Sequence, residues 1–214
     1  MKNWLAFQEW ACPPSHETAA GSSRQISWQR LSGVYGDQEV SVADCSKVDS
    51  FGNLECSAAL FKDVIAQWQK GEGQPLYVKD WHLARSVESH AVPSTAFNTG
   101  FTPFYTTPQI FADDWMNAYY TAYTSDDFRF VYVGAAGTFT PLHRDVYCSY
   151  SWSTNVCGRK RWWLFPPGQT TYLFMRERKL CVHDVRNVDL GRFPDFAKAA
   201  PVVVEQEEGE TIFV

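Results

Sequence analysis

No Cys-x-x-Cys pair occurs in this sequence, and its six cysteines (Cys12, Cys45, Cys56, Cys148, Cys157 and Cys181) are scattered along it. That excludes the usual structural zinc site, whose ligands come in close pairs. An apolar leader is missing as well: the first ten residues carry Lys2 and Glu9 and no hydrophobic stretch. The thiols are therefore expected to be reduced, as in a cytoplasmic or nuclear protein. No apolar run approaches the ~18 residues of a membrane-spanning helix, so no membrane partner is expected. A basic excess is also absent. Lys and Arg number 19 against 24 Asp and Glu, a net charge of -5, which argues against direct nucleic-acid binding. There are no internal repeats and no low-complexity block.

What the chain has in quantity is aromatic residues: nine Trp, ten Tyr and fifteen Phe in 214 residues. Such side chains favour strands and fill barrel interiors, and the length suits a single domain with a full core. Residues 1–10 read as a short amphipathic piece, 13–23 as a polar loop, and 26–35 as either a short helix or a strand. Val40 to Ala43 suits a short strand. Leu60, Phe61, Val64, Ile65 and Trp68 recur at helical spacing, with Gly71 where a helix would stop. Pro75 to Trp81 reads as a strand. Residues 86–108, with Pro93, Gly100, Pro103 and Pro108, read as a long irregular connection. Asp113 and Asp114 open a second helix with Trp115, Tyr119, Ala122 and Tyr123 on one side.

After Asp127 the pattern turns to strands. Phe128, Phe130 and Tyr132 alternate with Arg129, Val131 and Val133, and Gly134 and Gly137 mark a turn. His143 to Val156 alternates again, placing Cys148, Tyr150, Trp152, Thr154 and Val156 on one face. Arg161 to Phe165 is a strand stopped by Pro166-Pro167, and Tyr172 to Lys179 is a basic helix or loop. Val202–Glu205 and Glu210–Val214 read as two more strands. Early helices followed by short strands fit an α+β fold or a mainly-β barrel with flanking helices, not a βαβ sheet.

The chemistry centres on Thr138–Pro167. On an extended strand His143 and Asp145, two apart, leave the same face. An imidazole and a carboxylate converging there supply two of the three ligands of a facial-triad iron site; the plainer reading is a surface His–Asp pair. Lys160 lies between Gly158 and an apolar strand. Alternation sets it opposite Arg159 and Arg161, one Lys inward and two Arg outward, as a buried partner for an anion would be. The plainer reading of a basic triplet is a solvated turn.

Several segments accompany these residues: Thr140-Pro141, Asn155-x-x-Gly158-x-Lys160-x-Trp162, Leu164-Phe165-Pro166-Pro167, Pro75–His82, Phe130–Gly134 and Gly209–Val214. From about Ile26 to Val214 the chain thereby resembles the JmjC family of Fe(II)- and 2-oxoglutarate-dependent oxygenases. The resemblance implies a double-stranded β-helix, a jelly-roll or cupin-like barrel. Residues 1–214 would form one domain, with 1–125 as a supporting region and 126–214 as the barrel core. It implies that His143 and Asp145 bind Fe(II), that Lys160 pairs with the distal carboxylate of 2-oxoglutarate, and that the Thr140 hydroxyl contacts the same cosubstrate. Strict alternation puts Thr140 opposite His143, so that role requires a bend at Pro141. Tyr77 and Tyr132 are candidates for lining the pocket, against the plainer reading of barrel core. The implied reaction uses molecular oxygen to hydroxylate a lysyl side chain of a protein. The implied substrates are a translation termination factor or an RNA-processing protein.

In this family a second His follows a Gly-Glu-Thr-x-Phe-Val segment. Here Gly209–Val214 ends the chain, so the third ligand is expected past Val214 and the barrel is expected to be incomplete at its C-terminal end. His183 is the one later histidine, in a polar excursion; His16, His82 and His90 have no matching context. Two other readings follow: a truncated, non-catalytic binding module, and a histone lysine demethylase using the same chemistry.

Overall fold

The computed structural model describes residues 4–12, 24–71, 73–90, 104–175, 177 and 180–214. The elements run α1 (Leu5–Glu9), β1 (Ala11–Cys12), β2 (Gln25–Ile26), α2 (Trp28–Tyr35), β3 (Glu39–Val48), β4 (Leu54–Leu60), α3 (Phe61–Lys70), β5 (Leu76–Trp81) and α4 (Leu83–His90). Then come α5 (Trp115–Tyr123), β6 (Val131–Gly134), β7 (Trp152–Thr154), β8 (Lys160–Leu164), β9 (Val202–Gln206) and β10 (Thr211–Phe213). Among the described residues every ladder is antiparallel. A four-stranded sheet runs β4-β3-β5-β6, and β1-β2, β7-β10 and β8-β9 pair separately. The expected strand-rich architecture with flanking helices is present. No described helix is long and apolar enough to cross a membrane.

The apolar core explains the first half of the chain. Phe61, Val64 and Ile65 form the buried stripe of α3 and pack with Val40, Val42, Val78, Trp81 and Leu31. The Phe61 and Trp81 rings lie 4.7 Å apart. Each such side chain stabilises the fold by about 1.5–3 kcal/mol relative to exposure. Asp63 and Lys70 sit at the ends of α3 where its dipole favours them, and Gly71 closes it in the left-handed conformation, φ 65°. In α5, the helix Asp113 and Asp114 were expected to open, the Asp114 carboxylate accepts the Asn117 backbone N–H at 3.0 Å and caps it. Its Trp115, Tyr119 and Tyr123 share a face that is exposed.

Several expected boundaries shift. Of residues 26–35, Ile26 ends β2 and Trp28–Tyr35 is helical, and the short strand at 40–43 extends from Glu39 to Val48. Its partner β4 is added because Leu54–Leu60 pairs along it despite lacking a clear alternation. Of residues 86–108, the first five continue α4, and 91–103 lie outside the described residues, as do 13–23. The second-half strands are shorter than the pattern suggested. Phe128–Tyr132 becomes strand only at Val131, and of His143–Val156 only Trp152–Thr154 joins a ladder. The reason is local: Val146–Cys148 is a turn with Tyr147 at φ 57° and Cys148 at φ 53°. Two left-handed residues in succession reset the alternation.

Candidate functional site

β5 carries the first part of the site. Its register shifts against β6 between Val78 and Trp81: Val78 pairs with Val133 and Trp81 with Val131. Three steps on one strand thus match two on the other, a β-bulge. The extra residue lets Val78 and Trp81 both face the core, while Tyr77 on β5 and Tyr132 on β6 face the other way. Their rings lie 6.1 Å apart. Gly134 is required beside them, since a Cβ there would lie 2.6 Å from Tyr77 and 2.3 Å from the Thr138 hydroxyl.

The segment after β6 brings the remaining groups over these rings. It is irregular from Ala135 to Asp145, and the backbone N–H of Leu142 donates to the His183 carbonyl at 3.1 Å. His143 and Asp145 therefore do not sit on a ladder strand, as the two-residue spacing suggested, but on an extended loop. They converge nevertheless: His143 Nε2 is 3.2 Å from Asp145 Oδ1. The other side of each group is anchored. His143 Nδ1 lies 2.8 Å from the Pro141 carbonyl, which assigns the proton to Nδ1 and leaves Nε2 with its lone pair. The Ser151 hydroxyl donates to Asp145 Oδ2 at 3.0 Å, leaving Oδ1 directed at the imidazole. Thr140 lies beside the Tyr77 hydroxyl, on the side of the sheet that Tyr77 and Tyr132 face.

β8 contributes Lys160. A buried polar hub fixes its position. Gln206, paired directly with Lys160 in the ladder, donates to the carbonyls of Ser153 (2.8 Å) and Glu210 (3.0 Å) and accepts from the Trp162 indole at 2.9 Å. Asn155 donates to the carbonyl of Gly158 at 2.7 Å, holding the turn in which Gly158 adopts φ 74°. The Asn-x-x-Gly-x-Lys-x-Trp pattern is therefore one physical unit. Lys160 points inward while Arg159 and Arg161 are exposed and face Glu207 and Glu205. Its ammonium lies 5.7 Å from the Tyr132 ring centre and 6.0 Å from that of Trp162.

The electrostatics follow from burial. Burial lowers the Lys160 ammonium below the ordinary lysine value, since a desolvated cation without a carboxylate beside it favours its neutral form. Burial pushes the Tyr77 hydroxyl up to about 12, with the Thr140 hydrogen bond opposing the shift. Tyr132 is raised by burial and then by the carboxylates of Asp80 and Asp145. Asp80 accepts the Tyr132 hydroxyl at 3.0 Å. Sequence reasoning missed Asp80 and Ser151. The signal for Asp80 was a carboxylate in the phase of Val78, where strict alternation would bury it.

This donor set fits a hard divalent metal. Two cis ligands at ordinary bond lengths of ~2.1 Å lie about 3 Å apart, close to the His143–Asp145 separation. Among the described residues no third His, Cys, Asp or Glu completes a group of three with them. His183 does not: its Nδ1 lies 2.5 Å from the Gly52 carbonyl, its ring packs on Phe139, and its buried Nε2 has no hydrogen-bond partner among the described residues. His16 and the His90 side chain lie outside the described residues. His82 forms a separate cluster with Asp126 and Asp127 whose donor atoms lie within 4.8 Å. There Asp127 is already bonded to His82 (2.6 Å) and Arg129 (2.7 Å), and Arg85 faces Asp126. Two guanidinium groups make that cluster an ion-pair network in which a metal would meet like charge.

The cupin-like domain family matches residues 1–214. The 2-oxoglutarate and iron-dependent oxygenase JMJD4 of Danio rerio is 37% identical over 217 residues, covering 97% of this chain and 48% of that protein. Its Homo sapiens namesake is 37% identical over 224 residues, with 100% and 48% covered. The Arginine-specific demethylase JMJ20 of Arabidopsis thaliana is 36% identical over 198 residues, with 84% and 40% covered. The chain spans about half the length of these relatives or less.

Proposed function

The chain belongs to the cupin-like domain family, among its JmjC oxygenases, and from that premise we propose that it serves an Fe(II)- and 2-oxoglutarate-dependent protein hydroxylase acting on a lysyl side chain. The observation that carries the reading is the pairing of two features. His143 Nε2 and Asp145 Oδ1 converge at 3.2 Å, and the Lys160 ammonium stands desolvated against Tyr132 on the same side of the sheet.

When bound, Fe(II) with 2-oxoglutarate supplies activation of molecular oxygen for insertion into a C–H bond. His143 and Asp145 would hold the metal. The Pro141 carbonyl fixes the imidazole tautomer, and Ser151 turns Asp145 so that one oxygen faces inward; such outer partners raise metal affinity. Lys160 would neutralise the distal carboxylate of the cosubstrate, with the Thr140 and Tyr77 hydroxyls beside it. Tyr132 and Trp162 wall the ammonium from water, which strengthens its attraction for an anion. The target is a protein, with a translation termination factor or an RNA-processing protein as partner, in the cytoplasm or nucleus.

The test is 2-oxoglutarate turnover by the full-length protein with Fe(II), oxygen and lysine-bearing peptides of a termination factor. The expected product is succinate with one oxygen atom added to a lysyl residue. No turnover with any lysyl peptide, together with no iron binding, would favour a non-catalytic module instead. The likeness to an arginine-specific demethylase supports a second reading, demethylation; release of formaldehyde from methylated peptides without stable hydroxylysine would select it over lysyl hydroxylation.

A further inference from the structure

We infer that Asp80 is a positioning residue that fixes Tyr132, and through the Tyr132 ring the ammonium of Lys160, for the carboxylate of the cosubstrate. The inference rests on the reading of Lys160 as the 2-oxoglutarate partner and deepens it.

Asp80 has a left-handed backbone, φ 54°, inside the bulge of β5. A residue with a Cβ is strained there, and such strain persists where the surrounding structure holds it, often beside functional groups. The bulge carries the Asp80 carboxylate away from the hydrophobic face of Val78 and Trp81 to the side of Tyr132. Both of its oxygens are engaged. Oδ1 accepts the Tyr132 hydroxyl at 3.0 Å and Oδ2 lies 3.1 Å from Lys79 Nζ. A carboxylate with both oxygens bonded to the chain acts as an anchor for its neighbours, not as a receptor for a ligand.

What it anchors is the wall of the lysine. Lys160 and Trp162 share β8, so Trp162 moves with the lysine it flanks. Tyr132 belongs to the four-stranded sheet, as do Tyr77 and Asp80. The contact of Lys160 Nζ with the Tyr132 ring at 5.7 Å therefore sets the ammonium relative to the sheet that carries the other cosubstrate-facing groups. A tyrosine tethered at its hydroxyl keeps one ring orientation; an untethered ring and a long lysine side chain would both lose order, and the anion would have to restore it on binding.

Calorimetric titration of the full-length protein with 2-oxoglutarate in the presence of Mn(II) tests this. Asp80→Gly tolerates the left-handed backbone but removes the acceptor of the Tyr132 hydroxyl, and Tyr132→Phe removes the hydroxyl and keeps the ring. Each is expected to weaken 2-oxoglutarate by about three- to tenfold with the melting temperature unchanged. The double variant should be no weaker than either single one, because both cut the same link. Asp80→Asn keeps an oxygen that accepts the Tyr132 hydroxyl and should bind more tightly than Asp80→Gly; if Asp80 served only the backbone turn, glycine would leave the affinity intact. Lys160→Met should abolish binding. Wild-type affinity in Asp80→Gly alongside loss in Lys160→Met, or additive losses in the Asp80→Gly, Tyr132→Phe double variant, would overturn the role of Asp80 alone. Retained affinity in Lys160→Met would overturn the reading of Lys160 and the inference with it.

Discussion

On one face of the β4-β3-β5-β6 sheet, Val40, Val42, Val78 and Trp81 pack against Phe61, Val64 and Ile65 of α3. On the other, Asp80 accepts the Tyr132 hydroxyl, the Lys160 ammonium lies against the Tyr132 ring, and Thr140 lies beside the Tyr77 hydroxyl. The same strands serve both. The first face gains stability from apolar area and asks only for volume and shape. The second holds a desolvated cation and hydroxyls that need partners at defined atoms. A change on the first should therefore be read out as stability, and a change on the second as ligand affinity, in some cases with stability moving the opposite way.

The largest effect is expected from Phe61→Ala. Phe61 is fully buried and touches the Trp81 and Trp68 rings. Removing it should cost about 3–5 kcal/mol in urea unfolding and leave the 2-oxoglutarate affinity of the folded fraction unchanged. A loss below about 1 kcal/mol would break the contrast, since the apolar face would then not carry the fold.

Gln206→Ala probes the joint between the two regimes. Gln206 is buried, and its amide serves the Trp162 indole and two carbonyls. Leaving these without partners should cost about 2–3 kcal/mol. Because Gln206 faces Lys160 across the ladder, cosubstrate affinity should fall as well. Lost stability with intact affinity would show that β8 keeps its place without the hub.

Lys160→Met should separate the two readouts most sharply. Replacing a desolvated ammonium with an apolar chain of similar length should raise the melting temperature by about 2–4 °C, while 2-oxoglutarate binding is lost. The pH dependence has a definite sign. Lys160 is lowered from 10.5 by burial, so the unfolded chain keeps the proton through a window in which the folded chain has released it. Wild-type stability therefore gains as pH rises from the lowered folded value towards 10.5, and its deficit against Lys160→Met shrinks across that window. Affinity for 2-oxoglutarate runs the other way and falls as the ammonium discharges. A deficit independent of pH would locate the cost in packing, not in charge.

The same contrast governs what could be read from the chain. α3 was legible because its signals are local: an apolar stripe and a glycine stop within eleven residues. Lys160 facing inward between two exposed arginines was legible too, since β8 is a regular strand and alternation applies. The His143–Asp145 pair was found by spacing, but the expected strand is a loop. Its shape comes from partners distant in sequence, such as the Leu142 contact with His183. Ser151 could not be assigned to Asp145 because the left-handed turn at Tyr147 and Cys148 lies between them. Asp80 was hidden by a bulge that only pairing with β6 reveals. Regular elements advertise themselves; the irregular ones that aim the site groups are set by tertiary contacts.

The smallest effect should come one residue from one of the most consequential. Arg161 follows Lys160 on β8, carries the same charge and bonds the Glu205 carboxylate across the ladder. Its side chain is 56% exposed, so water screens the pair and already solvates each partner. Arg161→Ala should change stability by about 0.5 kcal/mol or less, and 2-oxoglutarate affinity should stay within twofold of wild type, about the scatter of such a titration. Neighbouring cations that differ only in the face they occupy would then differ from no effect to complete loss of binding. If Arg161→Ala weakened 2-oxoglutarate as Lys160→Met does, the anion would be responding to the basic run as a whole, and the inward face of β8 would lose its claim to the cosubstrate.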